Sequence, residues 1–534
     1  MNKNEVLSIY GSHDASITFI DKNKKIRIYE YERFVKKRYA MYSSRFDSVK
    51  GRGSNETERN EFLTLIKNNL ENKDIKLILY LELDENDKNL LNKYFPNAKF
   101  ELTKHHYSHA CSGYYSSKFD NALIFSVDGG GNDFNQVFMT RCHLAENDQI
   151  KEMQCINYDF GSAYSSIAWL ISEIKSGSEE KTIYTLSNAG KIMGLCAYGK
   201  VRLEWIDYFK NYYNNHHLDI NHNLHILCKN LNIECSINSI NGQLAYDVAA
   251  TSQYTFEIKM DELILPFIEK YNTNIVLVGG CALNVLYNQK LSERLKRSNL
   301  QVFIPSNPND CGLSYGMFLS KFPEIGRNNE ICYNGIEILD EGDYKFYLKN
   351  YLSEDMTVAK IINYLKQGKI LAIINDYSEV GPRSLGNRSI ICDPSFPEMK
   401  DVLNSKVKFR EWFRPFAPVC RLKDKDLFFE NANESNYMSF APKIKSSFKD
   451  RVQSIVHQDE TTRLQTVTEE THKLFNDILN ELEMKKSIPI ILNTSFNIKG
   501  FPILTTYKDA FYVLENTKLD FLIIKDKIFS KNEI

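Results

Sequence analysis

The chain has 534 residues, 43% of them hydrophobic and 25% charged, with a formal net charge of −1. This is the composition of a globular protein that can bury several cores, and at roughly 150 residues per domain its length suggests three or four folding units. So small a net charge speaks against a general polyanion binder, while local basic patches stay open.

At the N-terminus, MNKNEVLSIYGSHDAS has no apolar core of signal-peptide length before His13 and Asp14. No window approaches the ~18 apolar residues of a membrane span. The 11 cysteines are scattered without a CxxC, and the closest pair, Cys228 and Cys235, lacks zinc-finger spacing. Reduced thiols and a cytoplasmic location are expected.

In chain order, the first segment reads as a strand at 5–10, a GSHD loop, a strand at 15–20, a DKNKK turn and a strand at 26–32. The pattern recurs as a strand at 122–128, a DGGGND loop, a strand at 136–144, an AENDQ turn and a strand at 150–156. Two readings compete: the ordinary frequency of β-hairpins, or a two-lobed fold in which each lobe opens with this unit and a phosphate-facing loop. Residues 161–177 and the stretch after them read as mostly helical and then loop, and 201–245 fit helices weakly. Residues 246–271 carry a 3.6-residue period, 274–280 form a buried strand entering a glycine turn, and 302–316 run from strand through a Pro/Asn loop into a helix of small residues. The pattern weakens over 326–355, which places a domain boundary at about 350.

Chemistry concentrates in a few places. In LTKHHYSHACSGYY, a helix would set His105 and His109 at i and i+4 on one face. Asp128 ends a buried apolar strand, where a carboxylate is costly unless paired or metal-bound, and Asp310 lies in the loop NPNDCG. Two His with one or two Asp suit Fe(II), Mn(II) or Zn(II), although HxxxH alone is as readily a surface or helix-capping pair. There is no HExxH, so a zincin protease is excluded. Gly129, Gly130 and Gly131, with Asn132 after them, would let backbone N–H groups approach phosphate oxygens; the alternative is a flexible hairpin turn. Gly279, Gly280 and Asn284 form a second glycine turn opening a helix, a site for a nucleotide contact. Neither matches a P-loop. Between 383 and 414 stand Arg383, Arg388, Lys406, Lys408, Arg410 and Arg414, interleaved with Gly, Pro and Phe; this reads as an anion pocket. Arg463 lies in a strand-like setting, and Asn493 and Ser495 lie just beyond an apolar strand, where small polar donors line sites.

Taken in order, HHYSHA, DGGGN, NAGKIMGLCAYG, LVGGCALNVLYNQKL, NPNDCGLSYG, EVGPRSLGNRSI, KFREWFRPFAP, TTRLQTV and ILNTSFNIKGFPI resemble the carbamoyltransferase family of the nodulation protein NodU and the antibiotic O-carbamoyltransferases. The resemblance runs from about residue 5 to 510. It implies an α/β, two-lobed actin/Hsp70-like (ASKHA) N-terminal domain over 1–350, similar to the tRNA threonylcarbamoyl-transfer enzymes, and an α/β YrdC-like C-terminal domain over 351–534. It also implies the reaction. The C-terminal domain would make carbamoyl adenylate from carbamoyl phosphate and ATP with Mg, and the N-terminal domain would pass the carbamoyl group to a hydroxyl of a small molecule. Residue by residue, it makes His105, His109, Asp128 and Asp310 the ligands of a metal, typically iron, and His13 the catalytic histidine. Arg383, Lys408, Arg414, Arg463, Asn493 and Ser495 would form the carbamoyl-phosphate and adenylate pocket, with Arg463 needed for catalysis. A nucleotide contact falls on Lys37 or Arg38.

The sequence departs from the family's pattern at Ser384, Cys196, Ala197, Asn309, Tyr315 and Met317, which bears on the acceptor rather than on the reaction type. Neither nucleic acid nor membrane is an expected partner, and a homodimer is compatible with the sequence. The competing readings are an RNA-modifying threonylcarbamoyl-type transferase and a non-catalytic nucleotide-binding sensor of the actin/Hsp70 type.

Overall fold

A computed structural model describes residues 1–133, 136–174, 186–217, 219–328 and 330–531. The chain divides into two compact units, one of residues 1–31 with 39–331 and the other of 32–38 with 332–534. The second unit thus opens ahead of the boundary expected at about 350, and it takes in a short N-terminal segment.

The first unit holds two five-stranded sheets of identical topology. One has the order β3-β2-β1-β4-β5, from β1 (Val6–Tyr10), β2 (Ser16–Ile20), β3 (Ile26–Glu30), β4 (Leu77–Leu81) and β5 (Lys99–Leu102). The other has the order β10-β9-β6-β7-β8, from β6 (Ala122–Asp133), β7 (Gln136–Glu146), β8 (Gln149–Met153), β9 (Asn274–Val278) and β10 (Val302–Phe303). In each, an antiparallel meander is extended by two parallel strands. The repeated β-unit is therefore a duplicated sheet, as the two-lobed reading requires. The third strand stops at Glu30 rather than 32, because Tyr31–Val35 turns helical.

The weakly helical region contains helices Ile206–Asn215 and Ile220–Leu231, and the periodic segment is one helix, Gly242–Tyr271, which ends at Asn272 in the left-handed conformation. The expected helix from 161 is the short Phe160–Ser166 followed by a 3-10 turn, Ile167–Leu170; the part of it from 175 onward lies outside the described residues. Helix His105–Ser116 is almost wholly buried. It lies against helix Leu313–Leu319 so closely that a Cβ on Gly316 would stand 1.8 Å from the Ser108 carbonyl oxygen.

The second unit is an eight-stranded mixed sheet, β11-β18-β17-β12-β13-β16-β14-β15, formed by β11 (Leu352–Asp355), β12 (Leu371–Ile374), β13 (Arg388–Cys392), β14 (Ala417–Arg421), β15 (Gln465–Val467), β16 (Ile491–Ser495), β17 (Phe521–Ile524) and β18 (Lys527–Ser530). Alternation along each strand splits its core in two. Ala372, Ile374, Ile390, Leu492, Leu522 and Ile524 face one core. Leu371, Ile373, Ile391, Ile491 and Ile523 face the other, against helices Val358–Lys366 and Lys473–Met484. Among the described residues, no helix is long and apolar enough to cross a membrane.

Candidate active site: a buried metal-ligand set and a cation cluster

In the first unit, one helix, one strand and one loop bring four donors together. Helix His105–Ser116 presents His105 and His109 on one face, β6 carries Asp128, and the loop after β10 carries Asp310. Their ligand atoms all lie within 4.8 Å of one another. His109 Nε2 stands 3.2 Å from Asp128 Oδ2 and 3.3 Å from Asp310 Oδ1, and His105 Nε2 stands 3.9 and 3.6 Å from the same two atoms. Donors about 2.1 Å from one ion in a tetrahedral array stand about 3.4 Å apart, so this set fits a metal. His105 Nε2 is buried and makes no hydrogen bond, which is the condition of a ligand nitrogen.

Tyr10 donates to Asp310 Oδ2 at 2.6 Å, which turns Oδ1 toward the histidines. His13 reaches the same edge, with Nε2 3.5 Å from Asp310 Oδ2 and Nδ1 3.2 Å from Asp14 Oδ2. The side chains of His105, His109 and Asp310 are at most 3% exposed, Asp128 is 14% and His13 28%, so the set opens on the side of His13 and Asp128.

The electrostatics follow. Burial works against a charge on His13, but Asp310 and Asp14 outweigh it and raise its pKa to about 9. His109 is likewise penalised by burial and raised to about 9 by Asp128 and Asp310. Burial raises Asp128, yet His105 and His109 hold it well below the usual carboxylate range.

The glycines of DGGGND have local reasons. A Cβ on Gly131 would stand 2.2 Å from His105 Cδ2, and Gly130 sits at φ +142°, where side chains are strained. The Gly129 N–H donates to Asp128 Oδ1 at 2.7 Å, and Asn132 Nδ2 to Glu82 Oε1 at 2.7 Å. Gly279, at φ +86°, lets the turn pass within 2.3 Å, at Cβ, of the Val127 carbonyl oxygen, and the Gly280 N–H donates to Asp128 Oδ2 at 3.2 Å. Asn284 is occupied structurally: it caps helix Val285–Lys296 and pairs with Gln253.

In the second unit, β13 and β14 run antiparallel to β16 and β15 parallel to β14, so the segments preceding all three strands lie toward the sheet end where β16 finishes, with Ser389 beside Ser495 and Ala417 beside Asn493. Arg383, Arg414 and Arg463 precede those strands, and Lys408 arrives beside the end of β16. Its ammonium donates to the Ser495 carbonyl, to Ser495 Oγ at 3.1 Å, to the Asn497 carbonyl at 2.7 Å and to Asn497 Oδ1. Burial, then Arg410, Arg414 and Arg38, push Lys408 well below the usual lysine range. Burial, then Arg383, Arg410 and Arg414, push Arg463 down. Arg410 and Arg414 thus stand between Lys408 with Arg38 on one side and Arg463 with Arg383 on the other, a chain of like charges that an anion relieves. Arg38, from the inserted segment 32–38, is within electrostatic reach of Lys408. Glu411 lies 3.6 Å from Arg414 and 3.5 Å from Lys499.

Asn493 shares the sheet face of Ile491 and Ser495; it donates to the Ser384 carbonyl at 3.1 Å and to Gln465 Oε1 at 2.8 Å, with Oδ1 unpartnered. Two of the sequence cations stand elsewhere. Arg388 is fully buried, donating to the carbonyls of Asn375, Asp376 and Asn387, and burial lowers it to about 10. Lys406 is exposed. Sequence reasoning did not single out Tyr10, whose partner is 300 positions away, or Asp14, which its place beside His13 could have suggested.

The family profile described as Carbamoyltransferase N-terminus matches residues 58–318, and Carbamoyltransferase C-terminus matches residues 362–531. An uncharacterized protein of Methanocaldococcus jannaschii is 31% identical over 457 residues, covering 82% of this chain and 84% of that protein. Nodulation protein NolO of Bradyrhizobium diazoefficiens is 28% identical over 451 residues, covering 79% and 77%. A solved structure of full-length HypF in its phosphate- and nucleotide-bound form aligns at 14% identity over 60% of this chain and 55% of that one, with a TM-score of 0.34.

Proposed function

The chain belongs to the carbamoyltransferase family, and we propose that it moves the carbamoyl group of carbamoyl phosphate, through carbamoyl adenylate, to a hydroxyl of a small molecule such as a sugar or natural product. The observation that carries this reading is the cation cluster of Arg38, Arg383, Lys408, Arg410, Arg414 and Arg463 at one end of the second unit's sheet.

On this reading the second unit is the YrdC-like, adenylate-forming part. Carbamoyl phosphate and water give phosphate and carbamate. A carbamate oxygen then attacks the α-phosphorus of Mg·ATP, forming carbamoyl adenylate and releasing pyrophosphate. Arginine forks hold the phosphate oxygens, and the cluster stabilises charge as it builds at the α-phosphoryl group.

Transfer belongs to the first unit. His105, His109, Asp128 and Asp310 would hold a metal, proposed to be Fe(II), which when bound supplies a Lewis-acid contact for the adenylate's phosphate. Asp14 orients His13 through Nδ1, and with a bound cation offsetting the charges of Asp310 and Asp128 that raise its pKa, His13 would be neutral and its Nε2 would take the acceptor hydroxyl's proton. The hydroxyl oxygen bonds to the carbamoyl carbon, and AMP leaves. A net charge of −1 favours a small-molecule acceptor over RNA.

The test is incubation with ATP, Mg and carbamoyl phosphate, followed by mass spectrometry. Carbamoyl adenylate forms with the wild type and not with Arg463→Ala. Its absence from the wild type contradicts the reading and favours the nucleotide-binding sensor.

A further inference from the structure

The loop 379–388, which carries Arg383, is organised around a side chain with no assigned part in the reaction. Glu379 is completely buried. Its Oε1 accepts four consecutive backbone N–H groups, from Leu385 at 2.7 Å, Gly386 at 2.9 Å, Asn387 at 2.8 Å and Arg388 at 3.1 Å. Four amides converging on one point form a nest that holds an anion, and here the chain supplies its own. Gly386 closes the nest at φ +141°, and a Cβ there would stand 1.9 Å from His472 Nε2, so the position takes glycine alone.

The other arm of the loop is gripped by Arg33, also buried, which comes from the inserted segment 32–38. Its guanidinium donates to Ser378 Oγ at 3.0 Å, to the Glu379 carbonyl and to the Gly381 carbonyl at 2.6 Å. The segment is tied down further along as well: Thr505 Oγ1 donates to the Arg33 carbonyl at 2.9 Å, and Lys36 Nζ lies 2.6 Å from Asp509 Oδ2. Pro382, Arg383 and Ser384 lie between the two arms. Five residues beyond Arg33 is Arg38, whose charge reaches Lys408.

We infer that Glu379 and Arg33 form a clamp that positions Arg383 and Arg38 in the cation cluster, so that two of its six charges are set by one buried contact system. Both are positioning residues: the clamp acts through the arginines and touches no substrate itself. The inference rests on the reading of the cluster as the site of a phosphate-bearing substrate. Without the clamp, the cations repel one another and the loop is free to carry Arg383 away from the others.

The test uses the full chain and inorganic phosphate as the probe, titrated calorimetrically, with the KM for carbamoyl phosphate in pyrophosphate release as the second readout. Glu379→Ala removes the acceptor of all four amides, while Glu379→Gln keeps a carbonyl oxygen in its place. The alanine variant is expected to bind phosphate at least tenfold more weakly and to raise KM by a similar factor, with kcat much less affected. The glutamine variant is expected to recover affinity to within about threefold of the wild type. A folded alanine variant with wild-type phosphate affinity and KM overturns the clamp. If that variant does not fold, Arg33→Lys, which keeps the charge but loses the fork, is expected to show the same tenfold loss, and wild-type affinity there overturns it equally. Arg463→Ala separates the two levels of the argument. If it binds phosphate as the wild type does, the cluster is not the phosphate site and the clamp falls with it; if it loses binding while the clamp variants keep theirs, only the clamp is wrong.

Discussion

Gly131→Ala isolates the metal site. Gly131 has no positive φ, so alanine meets no backbone strain there, and the effect of the substitution is steric. The added methyl would stand 2.2 Å from His105 Cδ2, 2.4 Å from Cγ and 2.8 Å from Nε2. Carbon atoms rest about 3.5 Å apart, so the ring must move by about 1.3 Å or the hairpin must back away. His105 is a buried ligand candidate wedged between β6 and its own helix, so the movement comes out of its approach to Asp128 and Asp310. A shift of that size against a bond of about 2.1 Å removes the ligand. We expect metal affinity to fall about 100-fold or more, about 2.7 kcal/mol, with a further 1–3 kcal/mol of fold stability lost to overpacking. The assay is metal content by mass spectrometry and calorimetric titration with Fe(II) or Mn(II), beside thermal unfolding. Adenylate formation, assigned to the second unit, should persist. A Gly131→Ala protein that binds metal with wild-type affinity refutes the reasoning, because the collision with His105 would then have no consequence for the site.

Two arginines should part company. Arg388→Ala removes the hydrogen bonds to the carbonyls of Asn375, Asp376 and Asn387 and empties the space of a fully buried side chain, and should cost about 3 kcal/mol of stability in urea unfolding, whereas Arg463→Ala, which relieves a crowded cation, should leave stability unchanged or raised while abolishing adenylate formation. Burial lowers His472 to about 4 against an ordinary 6.5, so between these values the unfolded chain binds a proton that the folded one does not. Stability contributed by neutral His472 is therefore complete above pH 7 and lost as pH falls, by about 2 kcal/mol at pH 5. His472→Asn, which keeps a helix-capping acceptor, should narrow its stability gap from the wild type by that amount between pH 7.5 and 5 in urea titrations; a gap that does not change with pH contradicts the assignment.

The strands of both meanders were legible because apolar runs alternate with unmistakable polar turns, DKNKK and AENDQ. The cation motif was legible as a population but not residue by residue. Arg383 and Arg388 stand five positions apart in the same motif, yet one joins the cluster and the other spends its guanidinium on backbone carbonyls. Charge is written in the sequence, but the direction a side chain takes is set by loop geometry, here the Glu379 nest and the turn at Asp376, φ +32°. The membership of residues 32–38 in the second unit had no sequence signal at all, because Arg33 finds its partners 345 to 348 positions away. Spacing placed His105 and His109 on one helix face and suggested Asp128 and Asp310 as companions, but only the family resemblance tied the four into one set, since 201 residues separate His109 from Asp310.

Pyrophosphate release from ATP, measured with and without carbamoyl phosphate for the wild type, His13→Asn and Arg463→Ala, tests the central claim most directly. The account predicts release that requires carbamoyl phosphate in the wild type and in His13→Asn, and none in Arg463→Ala. Release that is independent of carbamoyl phosphate, or retained in Arg463→Ala, contradicts it.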